Sequence, residues 1–232
     1  MGAHTPIPFV QSAGFRTLQI LAEIDANRAV IVRAGGIDVV VAGMVAHRSL
    51  TRLQEQGCVV LVNLAESDAN QAAIARAGGI EAVVAGMRAH GSSAGVQEEG
   101  CAALSNFAGS DDAQTAIARA GGIEAVVLGM GAHGAVAGVQ VQGCSALRKL
   151  ALNEENKAKI AGARGVEAVV AGMVAHGLIA GVQEEGCAAL GNLAGMDEIL
   201  MAIASAGGIE AVVAGMNAQS LSVETQREGC LA

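Results

Sequence analysis

Side chains able to do chemistry recur along this chain at a fixed step of 43 residues. Cysteines stand at 58, 101, 144, 187 and 230, and histidines at 4, 47, 90, 133 and 176. Side-chain amides stand at Asn63, Asn106 and Asn192, and acids at Glu55, Glu98, Glu99, Glu184 and Glu185. A Cys–His pair suggests nucleophilic catalysis, but an active site is not normally copied into every unit of a repeat. A metal site needs several ligands within about 2 Å of one ion, whereas these histidines lie a full repeat apart. They fit better as helix-end groups bonded to a free carbonyl. The cysteines fall on the apolar side of their segment, where burial suppresses thiol reactivity. No cofactor or metal is expected, and no enzyme.

These residues are positioned by a repeat. Gly100-Cys101-Ala102-Ala103-Leu104-Ser105-Asn106-Phe107-Ala108 recurs at 57–65, 143–151 and 186–194, and starts again at Gly229-Cys230. Helical repeats run at ~40–47 residues, each too small to bury its own apolar face. The expectation is one all-α array over 1–232. It has a leading partial repeat at 1–24, full repeats at 25–67, 68–110, 111–153 and 154–196, and an incomplete one at 197–232.

Residues 68–110 show the unit. Asp68 heads a short helix as an acceptor for free N–H groups, Ile74 is its core residue, and Gly78-Gly79 ends it in the left-handed conformation. A second helix follows from Ile80 to about His90, with Val83, Val84 and Met87 as its apolar stripe. Gly86 recurs deep in that helix, where Gly costs ~1 kcal/mol against Ala, so a close neighbour is expected there. A third helix covers about Val96 to Ala108. Cys101, Leu104, Phe107 and Ala108 form its buried face, and Asn106 points away from it.

Composition agrees with close helix packing: 52% of residues are hydrophobic and 1% aromatic. A net charge of −8 and a pI near 5.1 argue against binding nucleic acid through the whole surface. Equivalent cysteines lie about one helix spacing, ~10 Å, apart, too far for a disulfide. They read as reduced thiols of a cytoplasmic protein, with the nucleus as an alternative. Ala125 to Leu147 carries no Asp, Glu, Lys or Arg, yet it keeps the repeat register and is not expected to span a membrane. Met1-Gly2 begins a myristoylation pattern that fails at Pro6. The chain starts and stops within third helices, so a fragment is the first expectation. Self-association through open repeat ends is the second.

The Asn-x-x-x-Ile-x-x-Ala-Gly-Gly-Ile segment (Asn70 to Ile80), the apolar second helix and the Gly-Cys-x-x-Leu-x-Asn-Leu/Phe-Ala third helix together resemble the armadillo (ARM) repeat family. The resemblance runs from about Gln11 to Ala232. It implies a right-handed armadillo-type α-solenoid whose third helices line a concave groove. It also implies that an Asn one turn from the end of each third helix holds the backbone of an extended peptide. Asn63, Asn106 and Asn192 match that position; Lys149 and Ile20 depart from it. The importin-alpha type carries Trp four residues before that Asn. Here those places hold Val59, Ala102, Ser145 and Ala188, so an aromatic array for a basic nuclear-import signal is not expected. The catenin and vacuole-associated scaffolds are nearer in style.

The function expected is a non-enzymatic scaffold for a protein or extended peptide. Its candidate contacts are Asn63, Asn106, Lys149, Asn192, Glu98, Glu99, Glu184 and Glu185. A side-chain amide pairs with both groups of an extended backbone; bonding to the chain's own neighbouring repeat is the competing role. The acids form a rim for a basic ligand, or are solvated charges near helix N-termini. In repeat three Val141 and Gln142 replace the acids and Arg148-Lys149 is added, which makes a bipolar groove with a basic spot for an acidic ligand side chain. The alternatives are a structural subunit assembling end to end and an engineered regular repeat protein.

Overall fold

A computed structural model describes residues 7–229, with side chains through 218. His4, Pro6 and Cys230 lie outside these limits. The described residues form fifteen helices. A lone third-type helix α1 (Pro8–Leu21) leads. Four triplets follow: α2 (Asp25–Arg33), α3 (Gly36–Ala46), α4 (Thr51–Leu64); α5 (Asp68–Arg76), α6 (Gly79–Ala89), α7 (Ala94–Phe107); α8 (Asp111–Arg119), α9 (Gly122–Ala132), α10 (Ala137–Leu150); and α11 (Glu154–Gly162), α12 (Gly165–Ala175), α13 (Ala180–Leu193). The pair α14 (Asp197–Ser205) and α15 (Gly208–Gly229) closes the order.

Each helix type stacks on its own kind in the next repeat, and the third helices make the closest stack. That makes α1, α4, α7, α10 and α13 the most tightly stacked layer of the array. One continuous core runs through it, from Phe15 at one end to Ala211 at the other.

Local signals explain the breaks. In repeats two to four the first helix is capped one residue before the expected acid: Ser67 Oγ accepts from Asn70 N at 3.3 Å, Ser110 Oγ from Ala113 N at 3.3 Å, and Asn153 Oδ1 from Asn156 N at 3.3 Å. Asp68 instead supplies negative charge to the first turn. The corner into the second helix needs a left-handed residue, and Gly35, Gly78, Gly121 and Gly207 take it with φ of 77 to 81°. Repeat four has Arg164 there, with φ of 65°.

The glycine inside each second helix has a specific neighbour. A Cβ on Gly129 would lie 2.7 Å from Oε1 of Gln97, and one on Gly86 2.9 Å from Oε1 of Gln54. Those glutamines are buried on the preceding third helix, and their amides are pinned. Nε2 of Gln97 donates to Met87 O at 2.9 Å and to His90 O at 3.1 Å, the free carbonyls at the end of α6. Gln54, Gln140 and Gln183 repeat the pattern.

The last repeat differs from expectation. Its second helix does not turn into a third but continues as α15 to Gly229. Gln219-Ser220 stands there where repeat four has His176-Gly177. The charge-free stretch from Ala125 to Leu147 is divided between α9 and α10. Among the described residues no single helix is long and apolar enough to cross a membrane.

Two outcomes follow for stability. Arg164→Gly relieves left-handed strain and is expected to stabilise by about 1 kcal/mol in denaturant melts, since its exposed pairing with Glu167 contributes little; a loss of stability would contradict this. In α9, Gly131→Ala meets nothing within 4 Å and gains helix propensity. Gly129→Ala strikes a pinned amide and should destabilise despite the same propensity gain. Equal effects from the two would refute the glutamine contact.

Candidate peptide-binding face

The third helices bury Cys58, Cys101 and Cys144 together with Leu61, Leu104 and Leu147. Their other side is a half-open strip, because the repeat places a different residue set there. In α7 this strip holds Glu98, Glu99, Ala102 and Asn106; in α10 it holds Val141, Gln142, Ser145, Arg148 and Lys149. The sequence-derived candidates on α4, α7, α10 and α13 therefore share one face. The floor positions Val59, Ala102, Ser145 and Ala188 are half-buried and small, leaving room between the flanking polar rows.

The amides are oriented by the array itself. Asn192 Nδ2 donates to Arg148 O at 2.9 Å, and Asn63 Nδ2 reaches Gln19 O at 3.5 Å, the limit of a hydrogen bond. Each partner lies one repeat back on the preceding third helix. Among the described residues Asn106 makes no such bond, which leaves both its donor and its acceptor open. The neighbour-bonding role is thus met at two of these positions. Their Oδ1 atoms stay available as acceptors.

The acids divide into two kinds. Glu55 and Glu98 reach forward to the next third helix: the Glu55 carboxylate would lie 2.9 Å from a Cβ on Gly95, and that of Glu98 abuts Gly138 in the same way. Gly95 and Gly138 are the second residues of α7 and α10, so these carboxylates sit at helix N-termini, where negative charge is favoured. Glu99 and Glu185 lie on the strip itself. Glu99 has its pKa raised, first by burial and then by Glu98 and Glu55. Glu185 is bonded to Arg148, whose Nε donates to its Oε2 at 2.7 Å. Glu184 is exposed.

The histidine and cysteine ladders lie elsewhere. His90, His133 and His176 bond through Nε2, each at 2.8 Å, to the carbonyls of Arg48, Gly91 and Gly134 in the preceding repeat. They are inter-repeat ties, as expected of helix-end groups but reaching across units. For His47 the matching carbonyl falls outside the described residues. The four described cysteines are free. Burial pushes the Cys101 and Cys144 thiols up to about 12 and raises that of Cys58 further still. Cys187 is only half-buried, because among the described residues no third helix of the next repeat stacks on α13. Among the described residues no His, Cys, Asp and Glu side chains gather as a metal site.

Sequence reading missed the buried glutamines, the forward reach of Glu55 and Glu98, and the Arg148–Glu185 pair. Its one available signal was the co-occurrence of Gln54, Gln97, Gln140 and Gln183 with Gly86, Gly129, Gly172 and Gly215.

The raised pKa of Glu99 fixes a sign. Its stabilising contribution is full below the ordinary glutamate value and is lost as pH rises through the raised one. Glu99→Gln, the residue that Gln56 and Gln142 supply in the flanking repeats, should therefore raise the melting temperature at pH 7. At about pH 3.5, below the ordinary carboxylate value, it should give no gain. A gain of equal size at both pH values would contradict the assignment.

No family model matches the chain, and no curated protein does. Among solved structures it is similar to an engineered protein at 30% identity and TM-score 0.76, covering 91% of this chain and 54% of that one. The chain thus spans about half the length of that relative. A second engineered protein matches at 29% identity and TM-score 0.77, over 96% of this chain and 92% of that one. A designed armadillo repeat protein in complex with a (KR)4 peptide matches at 18% identity and TM-score 0.74, over 89% and 91%. The stacked helix triplets and these likenesses agree: by fold, the chain is an armadillo-type α-solenoid.

Proposed function

We propose that this chain is a non-enzymatic scaffold that binds an extended peptide segment along the face formed by α4, α7, α10 and α13. The observation that carries the reading is the amide row. Asn63, Asn106 and Asn192 stand at one register on α4, α7 and α13, and two of them are already oriented by a backbone carbonyl. An amide held this way presents its oxygen to a passing N–H at little further entropic cost. An extended backbone has unpaired N–H and C=O groups along its length, which is the complement such a row requires.

The small floor at Val59, Ala102 and Ala188 supports this reading, since it admits a main chain and its side chains without an aromatic platform. The peptide complex of the designed relative supports it by analogy of fold.

The test uses segments selected from a random library of about twelve residues. Replacing Asn63, Asn106 and Asn192 by Ala together should weaken a selected segment at least tenfold, with helicity by circular dichroism unchanged. Asn106→Ala alone should account for a measurable share without loss of stability, because that side chain makes no internal bond. Unchanged affinity in the triple variant would contradict the amide row as the binding element.

A further inference from the structure

Repeat three departs from its neighbours on this face, and the departures fall together. Where the flanking repeats carry Glu98-Glu99 and Glu184-Glu185, it has Val141-Gln142. Where they carry Ala102 and Ala188 it has Ser145, and where they carry Asn106 and Asn192 it has Lys149. Ser145 and Lys149 are four residues apart on α10 and so share a side of the helix. Ser145 Oγ lies 3.2 Å from Ser105 Oγ, and Ser105 is buried. One lysine and a hydroxyl pair thus occupy a strip where the rest of the array offers amides and acids.

The charges there are not all satisfied. Arg148 is engaged by Glu185 at 2.7 Å. Lys149 has no carboxylate partner among the described residues. It is half-buried, and its pKa is lowered first by burial and then by the like charge of Arg148, against a smaller opposing effect of Glu185. A cation in that setting is disfavoured until a counter-charge reaches it.

We propose that Lys149 is a specificity-determining residue: the extended segment carries an Asp or Glu where it crosses α10, and Lys149 receives that carboxylate, with the Ser145 hydroxyl, left free to donate when it accepts from Ser105, as a neighbouring donor. This rests on the peptide-binding reading above. A neutral side chain at the same place leaves the lysine desolvated and unpaired, and a basic one meets like charge. The chemistry suits a singly charged carboxylate better than a phosphate. The guanidinium fork that would clamp a phosphate bidentately is already held by Glu185.

The experiment selects segments from the same random library separately against the wild-type chain and Lys149→Asn. This variant restores the residue that repeats one, two and four hold, so its helix is expected to form. Wild-type binders should share one acidic position. Changing that residue from Glu to Gln should weaken binding to the wild type about tenfold and to Lys149→Asn less than twofold. An identical acidic preference in both selections, or equal weakening of both chains, overturns the role of Lys149 and leaves the groove reading standing. A phosphoserine at that position binding tenfold tighter than Glu overturns the carboxylate assignment. If neither chain yields binders, the groove reading fails and this inference fails with it.

Discussion

The buried amides of Gln54, Gln97, Gln140 and Gln183 each join three helices. Nε2 closes two free carbonyls at the end of the second helix of its own repeat, while Oε1 rests against a glycine in the second helix of the next. A buried polar group is tolerable only when bonded, so this amide can stay inside only if the helix end lies where it does. The glycine is the other half of the constraint, because a methyl group there would push the neighbouring repeat away. Met44, Met87, Met130 and Met173 impose the matching demand within each repeat, lying against Gly57, Gly100, Gly143 and Gly186 of the third helix. With both contacts fixed, spacing and tilt from one unit to the next are set, and the His-to-carbonyl bonds tie the loops on the same pitch.

A binding face follows from that pitch. Side chains at one register stand in a row only if every repeat is rotated alike, and a row is what an extended ligand reads. Sequence variation is then concentrated where packing does not forbid it. The positions of Ala102 and Ser105 change freely between repeats, whereas those of Gln97, Gly100, Cys101 and Leu104 hardly change at all. Repeat three uses that freedom to carry Ser145, Arg148 and Lys149, and has Val141-Gln142 in place of the acids.

Much of this is legible in the amino-acid sequence alone. The period, the corner glycines, the apolar stripes and the common face of Asn63, Asn106 and Asn192 all follow from 43-residue spacing and helical geometry. What escapes it are contacts between repeats, since a sequence gives the register of a side chain but not the atom one layer away. Gln97 is visible as a recurring residue, yet a polar side chain three residues before a glycine gives no sign of being buried. Glu98 reads as a rim charge because nothing local shows that it reaches Gly138. Arg164 breaks the corner rule with no local sign of doing so, and Gln219-Ser220 is too faint a signal to show that α15 runs straight on.

The most direct test of the central claim is to follow the side-chain NH2 resonances of the asparagines by nuclear magnetic resonance while a selected segment is titrated in. If the third-helix face is the binding surface, the signals of Asn63, Asn106 and Asn192 move together and saturate with the binding curve. If they stay still while signals near Leu128, Val174 and Leu178 on the second-helix side move, the ligand uses the other face, and the amide row is not what binds it.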